Sequence, residues 1–379
     1  MWRSLSPLFL ALRASPCGCG ATALPVLDTV EVGHVQWAET SEGQRLEIRT
    51  LCTDPPVFLV PGFISEDEAD SLVNLALEKG DWIESEVDQE TNDFRRQLKR
   101  GGKAARKLLA EFDFNDDALL SSTELAKFAE DVFTMPNYDH AELVRHVLGE
   151  VANPKAKVPI KAAANAHLDD FFSKVLREEP HRSSRFSRQA WLHYDGDLLR
   201  SLLDRAQAIT QLPPDIMRQT EELQVVHYPR RGHYACHHDT SPDGVDEGAI
   251  RIGTLGFFLN NVTQGGETVF PGAFRAESEN WGPDEWAKLE ASCQRTEACT
   301  QLGGLKVVPK KGDGIFWYNV RSWAVDKIRQ KRQPAGFGEK AVIWGTVHCA
   351  AEVLDGEKWF ANLWLHMTAP KARRSGGEL

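Results

Sequence analysis

The sequence predicts an α+β protein in which a β-rich core, a barrel or sandwich, is interrupted by a helical block. Three observations lead there. Short apolar bursts punctuated by Gly, Pro and Asn occupy residues 45 to 64 and return from about 181 onward, a strand signature. Between about 92 and 180 the apolar residues instead recur at helical spacing behind charged faces, and nothing there reads as a strand. Finally, 379 residues, 42% hydrophobic and 26% charged, suffice for one large domain and a smaller one. The expected division is a targeting segment over 1–23, the N-terminal part of the core over 24–91, the helical insertion over 92–180 and the main core over 181–379.

The first segment carries Arg3 and Arg13, an apolar run from Leu8 to Leu12, and no acidic residue before Asp28. A secretory signal ending at Ala21-Thr22-Ala23 fits the small-residue rule and leads to the endoplasmic reticulum lumen or secretory pathway. Its arginines and serines also suit a mitochondrial transit peptide, so both destinations stay open. No run of about 20 apolar residues exists, so no membrane span is expected.

Arg45 to Ile64 alternates or runs apolar between prolines and glycines. Ser65 then opens a helix, with Glu68 three residues on as a capping box, Ala69, Leu72, Val73 and Ala76 at helical spacing, and Gly80 as the stop. Within the insertion, Leu108, Leu109, Phe112, Leu125, Phe128, Val132, Leu143, Val147, Leu168 and Phe172 mark the buried faces. Beyond it, strands are expected at Leu223 to Tyr228, Thr254 to Leu259, Leu305 to Val308, Gly314 to Tyr318, Ala341 to Val347 and Trp359 to His366.

A net charge of −11 argues against broad binding to nucleic acid or an anionic membrane, both of which favour a basic face. Of seven cysteines, Cys17 and Cys19 would leave with the targeting segment. Cys293 and Cys299 share a polar stretch where a local disulfide is expected in an oxidising compartment. Asn261-Val262-Thr263 is a glycosylation sequon, meaningful in a secreted chain.

In Tyr234-Ala-Cys-His237-His238-Asp239 an imidazole and a carboxylate two residues apart project from one face of an extended strand, a two-point claw for a metal. His238, the neighbour, faces the other way, and only the histidine sharing the face of Asp239 can serve. His348, at the end of the expected strand Ala341 to Val347, is a candidate third ligand. Two histidines and a carboxylate make the facial triad of non-haem iron(II), with positions left for a 2-oxo acid and dioxygen. An H-x-D triplet alone is common as a structural pair. Lys358, ten residues after His348, sharpens it, since a buried ammonium needs an anionic partner such as a dicarboxylic cosubstrate.

Four stretches, Leu223 to Asp239, Asn260 to Pro271, Val308 to Asn319 and His348 to His366, together resemble the prolyl 4-hydroxylase family in order and spacing. The resemblance implies a double-stranded β-helix (jelly-roll) core and an iron(II)- and 2-oxoglutarate-dependent dioxygenase using O2 and L-ascorbate, which hydroxylates proline in a protein or peptide substrate. It selects His237 over His238, gives His237, Asp239 and His348 as iron ligands, Lys358 as the 2-oxoglutarate anchor and Tyr228 as its neighbour. It places Glu221, Tyr234, Arg251, Trp364 and His366 along the peptide groove, where barrel packing would otherwise explain them. Phe258 departs from the family, standing where many relatives carry a tyrosine whose hydroxyl reaches 2-oxoglutarate. Ala351-Glu352 replaces a Cys-Pro pair.

Asp113 to Glu124 matches the twelve-residue EF-hand loop, with candidate Ca2+ ligands Asp113, Asn115, Asp117, the carbonyl of Leu119, Ser121 and bidentate Glu124. Ala118 stands where glycine normally supplies positive φ. A partner loop at Asn153 to Ala164 lacks carboxylates and reads as dead. Such an insertion resembles the endoplasmic reticulum branch of the family, without its membrane anchor. Two other classes remain: an oxygenase of another residue or a small molecule, and a calcium-responsive peptide-binding protein without turnover.

Overall fold

A computed structural model describes residues 26–79, 82–84, 89–136, 138–247, 249–275, 281–293, 296–330 and 336–368. The expected targeting segment and the stop at Gly80 lie outside the described residues.

The chain opens with an antiparallel meander of β1 (Val35–Glu39), β2 (Arg45–Thr53) and β3 (Pro56–Val60). β2 alternates, burying Leu46 and Ile48 while Arg45 and Arg49 face solvent, as period-2 side chains on a half-buried strand must. Ser65 then caps α1 (Glu66–Lys79): its hydroxyl accepts from the Glu68 amide at 3.1 Å and the Glu68 carboxylate accepts from the Ser65 amide at 2.7 Å. β4 (Ile83–Glu84) follows.

The helical insertion comprises α2 (Gln89–Arg100), α3 (Gly102–Glu111), β5 (Leu119–Leu120), α4 (Ser122–Phe133), α5 (Ala141–Leu148), β6 (Val158–Pro159), α6 (Ile160–Ala163) and α7 (Leu168–Glu178). Its apolar faces build a core of their own around Leu108, Leu109, Leu125, Phe128 and Phe172, with Phe133 stacked on Phe172 at 4.2 Å between centroids. The expectation of no strand here is corrected by the β5–β6 ribbon, in which Leu120 faces Val158. Both are fully buried. Two residues are too few to print a period-2 pattern, so the pairing left no trace in the sequence.

The remainder runs β7 (Arg185–Phe186), β8 (Arg188–Leu192), α8 (Asp197–Thr210), α9 (Pro214–Met217), β9 (Leu223–Tyr228), β10 (His233–His237), α10 (Pro242–Glu247), β11 (Ala249–Phe258), β12 (Gln264–Gly265), β13 (Thr268–Phe270), α11 (Pro283–Ser292), α12 (Thr296–Gln301), β14 (Leu305–Val307), β15 (Gly314–Tyr318), α13 (Ser322–Arg329), α14 (Phe337–Ala341), β16 (His348–Ala350), β17 (Val353–Asp355) and β18 (Lys358–Thr368). A major sheet has the order β1-β2-β3-β15-β11-β18-β9-β8-β4, and a minor sheet β14-β13-β16-β10-β7. The major sheet packs one face on α1, α8 and α13 through Phe58, Leu72, Leu202, Leu255, Phe316 and Leu363. Its other face meets the minor sheet through Val226, Tyr228, Phe258, Phe270, Trp317 and Phe360. This two-sheet core with helices outside is the α+β arrangement expected. Gly256 shows how tight it is: a Cβ there would sit 2.3 Å from the Phe360 ring.

Two further expectations are corrected. Ala341 to Val347 is not a continuous strand: α14 ends at Ala341, Val342 makes a lone antiparallel bridge to Val320, a 3-10 turn covers Trp344–Thr346, and the strand begins at His348. Ala341, Val342 and Val347 are buried all the same, and a short buried apolar run looks alike in strand and turn. Nor do Cys293 and Cys299 pair locally. The disulfides are Cys236–Cys293 and Cys299–Cys349, with Cα atoms 5.5 and 6.4 Å apart, within the ordinary range. Cys236 and Cys349 point from β10 and β16 to the face opposite the neighbouring histidines, where the α11–α12 layer packs with Trp286 and Leu289. That layer brings its cysteines to two strands rather than to each other. Among the described residues, no helix is long and apolar enough to cross a membrane.

Candidate active site

β10 and β16 pair antiparallel with His237 opposite His348, so a separation of about 110 residues closes to adjacency. Asp239 lies just past the end of β10. One ligand atom from each of His237, Asp239 and His348 falls within 4.8 Å of the others. The Nε2 atoms of His237 and His348 stand 3.9 and 3.8 Å from Asp239 carboxylate oxygens.

Each ring is fixed through its other nitrogen: His237 Nδ1 lies 2.8 Å from the Ala235 carbonyl and His348 Nδ1 2.9 Å from that of Thr346. Nδ1 is thus the protonated nitrogen, and Nε2 presents its lone pair inward. Burial, then the proximity of His348, hold the His237 imidazole well below its usual range, which keeps it neutral as ligation requires. Asp239 is oriented by the Thr254 hydroxyl, which donates to its Oδ2 at 2.6 Å, and Thr254 receives the Asn319 amide at 3.0 Å. Burial raises the Asp239 carboxyl, but His348, His237, Arg251 and Thr254 outweigh it and hold it below the usual range. His238 takes no part in the cluster. Its ring packs edge-on against Trp344 at 5.4 Å, and Nε2 lies 3.9 Å from Glu290.

Lys358 opens β18 opposite Tyr228 on β9 and is 1% exposed. Its Nζ lies 3.4 Å from the Thr268 hydroxyl and 5.4, 5.6 and 4.9 Å from the ring centroids of Tyr228, Phe258 and Phe360. Burial pushes its pKa down from 10.5 to about 7. An ammonium so placed, held by one hydroxyl and π faces, is short of an anion.

One cavity of about 170 Å³ contains the triad, Lys358, Tyr228, Tyr234, Arg251, Trp317 and Trp364. Tyr234 stacks on His237 at 3.6 Å between centroids, and Arg251 lies 3.6 Å over the Trp364 ring. Glu221 and His366 do not line this cavity. Glu221 instead holds Arg251 in a two-point ion pair at 2.7 and 2.8 Å, and His366 is the cross-strand neighbour of Arg251. Three residues that sequence reasoning passed over also belong here. Thr254 and Asn319 anchor Asp239, and Arg185 reaches the cavity with its guanidinium 4.4 Å over Tyr234. A polar residue in an apolar strand was the only signal for Thr254.

The loop of the helical insertion is closed on itself. Asp113 accepts from the amides of Asp117 and Ala118 at 3.2 and 2.8 Å, Asn115 from that of Asp117 at 3.1 Å, and Asp117 from that of Leu119 at 2.9 Å. Glu124 accepts from Phe114 and Ser121 and completes a capping box with Ser121. Ala118 adopts φ 59°, the left-handed conformation glycine takes at low cost. The carboxylates of Asp113, Asp117 and Glu124 do not converge as the triad does, because their oxygens serve the loop's own amides and Lys157 Nζ bonds Asp117.

Residues 223–366 match the profile of the 2OG-Fe(II) oxygenase superfamily. The transmembrane prolyl 4-hydroxylase of Mus musculus is 27% identical over 376 residues, 92% of this chain and 71% of that protein. Its Homo sapiens counterpart is 28% identical over 381 residues with the same coverage. The prolyl 4-hydroxylase subunit alpha-1 of Gallus gallus is 31% identical over 197 residues, 50% of this chain and 29% of that one. Among solved structures, a viral collagen prolyl hydroxylase from Paramecium Bursaria Chlorella virus-1, in complex with 2OG, aligns with 83% of this chain and 96% of its own at 16% identity and a TM-score of 0.35.

Proposed function

Because this chain belongs to the prolyl 4-hydroxylase family of 2OG-Fe(II) oxygenases, we propose that it hydroxylates proline in a polypeptide, with His237, Asp239 and His348 holding iron(II) and Lys358 holding 2-oxoglutarate. The carrying observation is that a triad with both Nε2 atoms turned inward and an ammonium with no carboxylate in ion-pair reach among the described residues open into one cavity. The donor set suits iron(II), since two imidazoles and one carboxylate leave coordination positions free. When bound, the metal would supply the redox chemistry by which dioxygen, 2-oxoglutarate and a substrate C–H yield succinate, carbon dioxide and the hydroxylated substrate, one oxygen atom going to each of succinate and substrate.

The chain's own part is to bind, orient and exclude water. Lys358 neutralises the distal carboxylate of the cosubstrate, with Thr268 as a second donor and Tyr228, Phe258 and Phe360 shielding the pair from solvent. Phe258 withholds the hydroxyl that many relatives offer, so Lys358 and Thr268 carry more of the recognition. Thr254 and Asn319 keep Asp239 aimed at the metal. Arg251, locked by Glu221 and laid on Trp364, walls the entrance together with Tyr234, where a peptide would pass. His366 supports that wall from the adjacent strand. Ascorbate would serve to keep the iron reduced.

We read residues 24–91 and 181–379 as one catalytic domain, and 92–180 as an inserted EF-hand-like module whose first loop takes calcium. Separate cores for module and sheets support the division. The β5–β6 ribbon joining a carboxylate-bearing loop to a bare one supports a loop pair. Two disulfides support the endoplasmic reticulum lumen or secretory pathway over the mitochondrion.

The test is 2-oxoglutarate turnover to succinate by purified protein with iron(II), ascorbate and proline-containing peptides, beside His237→Ala and Lys358→Ala. Turnover by wild type alone, with a peptide gaining the mass of one oxygen atom on proline, is the expected result. Turnover without any peptide product sinks the substrate class, and absence of turnover and of iron binding sinks the oxygenase.

A further inference from the structure

A second and larger cavity, of about 840 Å³, lies where α2 and α7 of the helical insertion face β7 and β8 of the core. It is basic in a protein of net charge −11. Arg177 and Arg188 are exposed on its two sides, and neither has an ion-pair partner among the described residues. Arg185 bonds the uncharged Ser187 and Gln189 and has no ion-pair partner among the described residues. Arg95 and Lys99 both reach Asp169, at 3.1 and 3.7 Å. Arg96 has Asp93 at 3.0 Å, and His227 has Glu357 at 2.8 Å. The wall therefore carries an excess of fixed positive charge, interleaved with Phe133, Leu176 and Phe186.

Arg185 lines both this cleft and the candidate active site. Its guanidinium covers Tyr234, which in turn stacks on His237. A chain leaving the metal centre past Tyr234 would enter the cleft directly.

We propose that this cleft binds an acidic stretch of the polypeptide substrate, flanking the residue to be hydroxylated. The inference rests on the prolyl hydroxylase reading for what sits at the metal. Guanidinium groups that find no carboxylate among the described residues are preorganised for Asp and Glu side chains. The apolar patches between them suit a polypeptide, and the strongly acidic remainder of the surface repels nucleic acid. Because both walls contribute, the insertion acts as half of a substrate-selecting site.

The test uses the full chain and fluorescent peptides sharing one proline-containing core, flanked on either side by Asp and Glu or by Ser and Gln. Peptide affinity is read by anisotropy, alongside peptide KM and peptide-independent 2-oxoglutarate turnover. An acidic flank on one side should tighten binding and lower KM about tenfold at low salt, fading as salt rises. The Arg177→Ala/Arg188→Ala variant should lose that preference while keeping its 2-oxoglutarate turnover and its affinity for the neutral peptide. Arg177→Lys/Arg188→Lys should keep most of it. Equal affinity for acidic and neutral peptides, a preference that survives the double alanine change, or an oligonucleotide that binds more tightly than the acidic peptide would each overturn the proposal. If no peptide is hydroxylated but the acidic preference and its loss are seen, the cleft stands and the proline reading falls.

Discussion

Lys358 Nζ and the Thr268 hydroxyl lie 3.4 Å apart, and among the described residues no carboxylate is within ion-pair reach of that ammonium. Its depressed pKa, about 7, follows from burial. Binding a dianion favours the charged lysine and raises that value. Affinity for 2-oxoglutarate should therefore be level below about pH 7 and weaken above it, by up to about tenfold per pH unit. The free protein shows the opposite slope: unfolded lysine binds its proton up to about 10.5 and folded Lys358 only to about 7, so this group's contribution to stability grows as pH rises between the two. Calorimetric titration of 2-oxoglutarate into the manganese(II)-loaded protein across that range checks the first statement, and a flat profile contradicts it.

Lys358→Met should abolish 2-oxoglutarate binding while leaving the unliganded protein as stable as wild type or more so, because a buried charge short of a partner is replaced by an apolar chain of similar length. Thermal melting with and without 2-oxoglutarate separates the two effects. A large loss of stability in the absence of ligand would mean the ammonium is structural.

Thr254→Val removes the hydroxyl that aims Asp239 and also deprives Asn319 of its acceptor. Iron(II) affinity should fall about 10- to 100-fold, and Thr254→Ser should restore most of it. Anaerobic metal titration reads both. Unchanged affinity in the valine variant would show that Asp239 needs no such support.

In the helical insertion, Lys157 donates to Asp117 from the carboxylate-free loop, and burial does not protect that contact. Calcium would have to displace it. Lys157→Ala should tighten calcium binding, and Ala118→Gly should tighten it further by relieving the left-handed φ of 59°. Calcium titration of the three proteins is the check, and equal affinities would remove the lysine from the account.

Cys299→Ser/Cys349→Ser opens a link between residues 50 apart in sequence. By chain entropy that link is worth about 4 kcal/mol. A clear drop in melting temperature is expected, and a comparable drop on adding reductant to wild type. Insensitivity of wild type to reductant would show the thiols unpaired.

What the sequence made legible were features with local signatures. Leu223–Tyr228 and Gly314–Tyr318 are strands with the bounds their apolar runs suggested, and the capping box at Ser65 needed only two residues three apart. The pair His237 and Asp239 could be read from spacing, and Lys358 from its distance to His348. The turn before His348 could not, because Val342 and Val347 are as buried as strand residues would be. The disulfide partners could not either: they depend on which strand lies under α11 and α12, a matter of tertiary packing. Arg185 lies in no motif, and Asn319 ends a family-like stretch that gives it no role; only the folded chain shows that one covers Tyr234 and the other steadies Thr254.

Cys236 and Cys349 are each one residue from a candidate metal ligand. Their side chains turn away from the histidines, into the apolar layer under α11 and α12. The disulfides to Cys293 and Cys299 therefore tie each ligand-bearing strand to that layer from behind. The spacing of His237 and His348 is thus braced by covalent bonds on the far side of their strands.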